Sequence, residues 1–231
     1  MTSTTSTTRA RFGATALALA PAMMFAALVS HPFIARLPDA TGVASAVEQG
    51  TTQWGVVHLL TAVGVILTAL AFLAVRVWLR DAGEDRHSAW ALPFVLAGSA
   101  LYALLPALEF APMAAALTGG DVAGVQSELQ PWFIPILASG GLLFAVGIVG
   151  FAWAVASCRI LNRSLTYLVV TALVVLALSR MVPLGAVQFY VQAIAGLVAL
   201  WPLAYQLWRA PRLTRASSGR AAAARQAPAV S

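Results

Sequence analysis

Apolar runs recur from Phe12 to Trp208, and several exceed the roughly 18 residues that carry a helix across the hydrocarbon of a bilayer. Of the 231 residues, 60% are hydrophobic and 10% are charged. Soluble domains are about 45–50% apolar and about 25% charged, so an ordinary water-soluble globule is excluded. Measured against the spanning length, the runs give six segments, approximately 13–35, 54–78, 89–117, 132–156, 165–182 and 185–208. They lack a clean period of two, which disfavours a barrel with alternating lipid-facing and lumen-facing residues. Helices close their own backbone hydrogen bonds and are the remaining way across. The expected fold is all-α: a polytopic six-helix transmembrane bundle over residues 13–208. A Ser/Thr-rich tail (1–12) and an Arg-rich tail (209–231) flank it, and neither has the apolar period of a folded segment.

Charge sets the expected orientation, because basic residues are retained on the cytoplasmic side during insertion. All fourteen basic residues are Arg, and the formal net charge is +6. Twelve fall in the two tails, at the junction after the second segment and in the loop after the fourth, whereas Arg36 and Arg180 alone fall on the other side. Both termini are therefore expected inside. An Arg distribution that alternates with apolar runs fits topology rather than nucleic-acid binding. The partner it implies is the bilayer, with other membrane subunits as further candidates. The absence of Lys beside abundant Ala and Arg fits a GC-rich genome, and hence a bacterial cytoplasmic (inner) membrane. The first segment is too long for the h-region of a secretory signal, and Pro21 follows the small-residue pattern Ala18-Leu19-Ala20 directly, so an uncleaved first helix is expected.

Cys158 is the lone cysteine, which excludes an intramolecular disulfide, a CxxC pair and a Cys-based zinc site. Without Lys there is no Walker-type phosphate loop, and no GxSxG accompanies Ser30, Ser99 or Ser139. No motif names a family. Gln53-Trp54, Gln130 with Trp132, and Gln188-Phe189-Tyr190 open the second, fourth and sixth segments as interfacial aromatics, with Trp78, Trp153, Trp201 and Trp208 as the belt at the other end. Gly140, Gly141, Gly147 and Gly150 make the fourth segment the place for close helix contact.

Ionisable groups within spans are costly and seldom lack a partner or a purpose. Here they share one depth, in the outer part of the bundle. His31 ends the first segment, His58 lies one turn inside the second, Glu109 sits between Pro106 and Pro112 in the third, and Arg180 ends the fifth. Gln188, Tyr190 and Gln192 of the sixth segment join that layer, and Trp54 stands one turn before His58. The two prolines predict a kink or unwinding around Glu109, whose carboxylate is expected to pair with Arg180 or a protonated His.

These residues outline an outward-facing polar pocket with a binding, sensing or accessory, transport-related role toward a small polar solute, ion or proton. Glu109 would exchange a proton or counter-ion. The apolar inner half argues against a full transport path. No cofactor is required. The alternatives are an enzyme or redox protein with a metal held by His31, His58 and Glu109 or a haem held by His31 and His58, and a structural subunit whose polar layer locks helices together. No sequence feature makes the chain an enzyme outright.

Overall fold

The computed structural model describes the backbone of residues 2–226 and the side chains of residues 8–209. The regular elements among them are helical: α1 (Thr2–Val29), α2 (Ala40–Gln49), α3 (Thr51–Asp81), α4 (His87–Leu108), α5 (Phe110–Thr118), α6 (Val122–Cys158), α7 (Arg163–Ser179), a π-helical turn (Val187–Val191) and α8 (Gln192–Gln226). Five stretches are long and apolar enough to cross a membrane: Thr8–Val29, Thr51–Asp81, His87–Thr118, Val122–Cys158 and Val187–Arg209. The sixth expected span, α7, is apolar but has 17 residues and falls just short of that length.

Short connections make successive long helices antiparallel, and they close into a ring. α1 packs on α3 and α8, α3 on α4, α4 on α6, α6 on α7, and α7 on α8. Inside the ring Phe72 of α3 meets Phe144 and Phe151 of α6, with ring centroids 6.4 and 4.9 Å apart. Leu17, Val95, Ile148, Leu173 and Leu203 complete the same buried core. Large apolar side chains such as Leu59, Ile66, Leu142, Trp153, Leu168 and Trp201 point outward, an apolar perimeter that lipid satisfies and water does not.

The tightest crossing is α4 on α6, and it depends on small residues. A Cβ on Gly147 would stand 2.6 Å from the backbone nitrogen of Val95, and one on Gly98 would run into the backbone of Phe144. Of the fourth-segment glycines, Gly140 and Gly147 thus do bring backbones together, with Gly98 of α4 as their counterpart.

One end of the ring carries a cap that the span pattern did not anticipate. It comprises the 30–39 loop, α2, α5 and the first turns of α6. At 37 residues, α6 is about 55 Å long, so it outruns the roughly 30 Å hydrocarbon core. It also starts ten residues before the expected boundary, because Asp121 caps it by accepting from Gly124 N–H at 2.8 Å. Likewise Asp39 caps α2 through Gly42 N–H, which with the Thr41 hydroxyl holds its carboxyl below the usual carboxylate range. Ile34, Val43, Val47, Trp54 and Val122 form the cap's own apolar cluster.

Two expectations are corrected here, the end of the first helix and the extent of the tails, and the expected break in the third segment is found. The first helix ends at Val29 rather than at residue 35, since Pro32 disfavours helical backbone at the residue before it. The 30–39 loop instead lies antiparallel to the turn before α8, through Leu37 N–H to Pro183 O (3.3 Å) and Gly185 N–H to Ala35 O (3.0 Å). The third segment is two helices broken at Glu109, as the prolines require. Both expected tails are entered by helical backbone from α1 and α8. Met1 and residues 227–231, and the side chains of residues 1–7 and 210–231, lie outside the described residues.

Candidate functional site

Beneath the cap lies a cavity of about 80 Å³, lined by His31, Trp54, His58, Thr61, Tyr102, Glu109, Gln188 and a wall of apolar residues including Phe133 and Phe189. The backbone break at Glu109 places its carboxyl here. Pro112 has no N–H to offer the carbonyl of Leu108, and the chain turns at Glu109 before resuming as α5. The Glu109 carbonyl accepts the indole N–H of Trp54 at 3.1 Å. The Trp54 carbonyl in turn accepts from His58 Nδ1 at 2.7 Å. Trp54 thereby ties the break in one span to the histidine of another.

Both histidines have their tautomer set by the backbone. A carbonyl can only accept, so Nδ1 of His58 carries the proton toward Trp54 O, and Nδ1 of His31 does so toward Pro32 O at 2.7 Å. In the neutral ring Nε2 is then a free acceptor. The rings form a cluster, with His31 on His58 (centroids 5.1 Å), Trp54 on His58 (4.4 Å), and His31 stacked on Phe189 (4.5 Å).

The Glu109 carboxyl is 6% exposed. One oxygen accepts Gln126 Nε2 at 3.2 Å, and the other, Oε2, is buried without a partner. Gln188 donates Nε2–H to Val182 O at 2.9 Å, which leaves its amide oxygen unused. The residues lining the cavity therefore hold unused acceptors: a carboxyl oxygen of Glu109, the second ring nitrogens of His31 and His58 and the amide oxygen of Gln188.

The expected polar layer divides in two. His31, Trp54, His58, Glu109 and Gln188 come together, but Arg180 and Gln192 line a second, smaller cavity, and Tyr190 stacks on Phe33 at the surface (6.4 Å). The anticipated Glu109–Arg180 pair does not form, because Arg180 lies 3.6 Å over the Phe144 ring and 4.3 Å over that of Tyr102, and Tyr102 also lines the Glu109 cavity. Trp54, expected as an interfacial aromatic, is instead buried.

The set of His31, His58 and Glu109 does not assemble as metal ligands: no group of three or more such side chains is placed to hold an ion among the described residues. Haem does not fit either. Its plate would have to pass between His31 and His58, which touch edge to face at 69°, and the cavity is far below the few hundred Å³ that even a drug-sized ligand occupies.

Sequence reasoning missed Gln126 and Tyr102. Gln126 lies before the expected fourth span, and Tyr102 reads as an ordinary aromatic within an apolar run; only its hydroxyl set it apart. Comparison with protein-family models, curated proteins and solved structures gives no match, so geometry alone carries the functional reading.

Proposed function

We propose that this is a six-span protein of a bacterial cytoplasmic membrane with both termini inside, and that its capped end binds a small, hydrogen-bond-donating solute or proton from the outer face. The observation that carries this reading is that Glu109, with one carboxyl oxygen buried and unpartnered, His31, His58 and Gln188 line one cavity of about 80 Å³. An acceptor-rich surface with a carboxylate favours a compact cation with N–H or O–H donors, such as ammonium or a protonated water cluster. The volume suits a few waters or one such ion. Glu109 is the group that takes up or releases a proton as the occupant changes.

Binding or sensing is favoured over transport because the ring below the cavity is filled by Phe72, Phe144, Phe151 and Leu173, all fully buried. These four side chains carry no group that could relay a proton or ion. Protein in lipid nanodiscs, titrated with ammonium gluconate against sodium gluconate at equal ionic strength, should change its tryptophan emission through Trp54. The change should vanish in Glu109→Gln and in Trp54→Phe. A wild-type protein that does not distinguish the two salts, or a Glu109→Gln variant that responds undiminished, refutes the reading. Glu109-dependent ammonium flux into proteoliposomes would replace binding by transport.

A further inference from the structure

Arg180 is the one arginine of the capped half that the fold buries. It ends α7, is 3% exposed, and its guanidinium lies between the rings of Phe144 and Tyr102. Nε and Nη1 are buried without a hydrogen-bond partner, and no carboxylate pairs with it among the described residues. An arginine does not shed its charge, and the two aromatic faces offset it only in part. Next to it Gln192, 2% exposed, has neither its amide nitrogen nor its amide oxygen partnered.

Both side chains line a cavity of about 20 Å³, whose other walls are Pro21, Met24, Thr68, Phe144, Leu176, Ala193, Gly196 and Leu200. Thr68 gives its hydroxyl hydrogen to Gly64 O at 2.8 Å. The unsatisfied groups around this space are thus the guanidinium N–H donors and both ends of the Gln192 amide, whose nitrogen can be turned toward the cavity. The volume admits one water-sized body, which excludes phosphate, sulfate and carboxylate ligands. An uncompensated buried cation, an amide N–H that can turn to it and room for a single atom fit a monatomic anion by charge, donor type and size together.

We propose that Arg180 and Gln192 form a binding site for one halide ion, chloride under physiological conditions. The site is separate from the acceptor-lined cavity and does not depend on what that cavity binds. Tyr102 stands between them, with its ring under Arg180 while the residue also lines the Glu109 cavity. The π-helical turn and the start of α8 supply one glutamine to each, Gln188 to the first and Gln192 to the second.

The test is thermal unfolding of the full chain in sodium chloride or sodium bromide against sodium gluconate at equal ionic strength. Chloride and bromide should raise the midpoint saturably. The halide dissociation constant drawn from that rise should weaken roughly tenfold or more in Arg180→Gln, the scale of a charge-assisted hydrogen bond, and also weaken in Gln192→Leu. Should Arg180→Gln fail to fold, Gln192→Leu and a bromide-soaked crystal decide. An anomalous bromide peak within hydrogen-bond reach of Arg180 and Gln192 supports the site. Equal midpoints in halide and gluconate, a halide effect undiminished in Gln192→Leu, or water at that position with no bromide peak overturns it.

Discussion

A single indole N–H fixes the geometry of the acceptor-lined cavity. Trp54 is 1% exposed, and its Nε1–H is given to the carbonyl of Glu109, where the third span breaks. Trp54→Phe keeps most of the ring's bulk and deletes that bond. It should destabilise the protein by about 1–3 kcal/mol, the usual cost of leaving a buried acceptor short of its donor, measurable by chemical denaturation in detergent. Gly185 acts at the same scale but through its absence of a side chain. A Cβ there would run into the carbonyl of Ile34, and because that obstacle is backbone it cannot rotate aside. Gly185→Ala should part the 30–39 loop from the turn before α8, and amide exchange at Leu37 and Gly185 should accelerate in consequence.

Among the elements, α4 is held by two devices of different kinds. Its packing on α6 needs the bare backbone at Gly98 and Gly147. Gly147→Val should cost about 1–3 kcal/mol by overpacking, read from the unfolding midpoint. Its first turn is held by Glu84, whose carboxylate accepts the backbone N–H groups of His87 (2.6 Å) and Ser88 (3.1 Å), donors that the helix itself leaves unused. Burial pushes the Glu84 carboxyl up, but the bonds from Ser88 and His87 outweigh it and hold the group below its ordinary value of 4.5. A carboxyl lowered on folding adds stability above that ordinary value and loses it as pH falls through the folded one. Unfolding midpoints should therefore drop below about pH 4.5, and Glu84→Gln should flatten that drop. Breaks in elements carry as much as their cores. The prolines flanking Glu109 announce a disruption from the sequence, but not which neighbour would seize the exposed backbone. That neighbour is Trp54, 55 residues away.

For the whole molecule, the orientation proposed from the alternation of Arg-rich and Arg-poor loops puts the capped end outside. Cys158, the lone cysteine, ends α6 at the opposite end of the ring. A membrane-impermeant maleimide should leave Cys158 unlabelled in intact cells and reach it after permeabilisation. A cysteine introduced at exposed Thr118, at the end of α5, in a Cys158→Ser background, should label in intact cells. The reverse pattern would invert the orientation.

The helical character of the chain and its membrane-length apolar segments follow from the sequence by itself. A bilayer imposes length and apolarity on each segment separately, so these are local properties that a linear reading can recover. Which polar residues meet is a matter of ring order and helix rotation, and these arise from close packing between residues far apart in the chain. Glu109 and Arg180 are expected at one depth, yet Tyr102 stands between them, so the pairing that charge alone would favour gives way to two separate cavities. The cap lay outside sequence reasoning for a related reason. The ten-residue α2 is too short to stand as an apolar run, and it is held over the bundle by tertiary contacts with α3, α5 and α6.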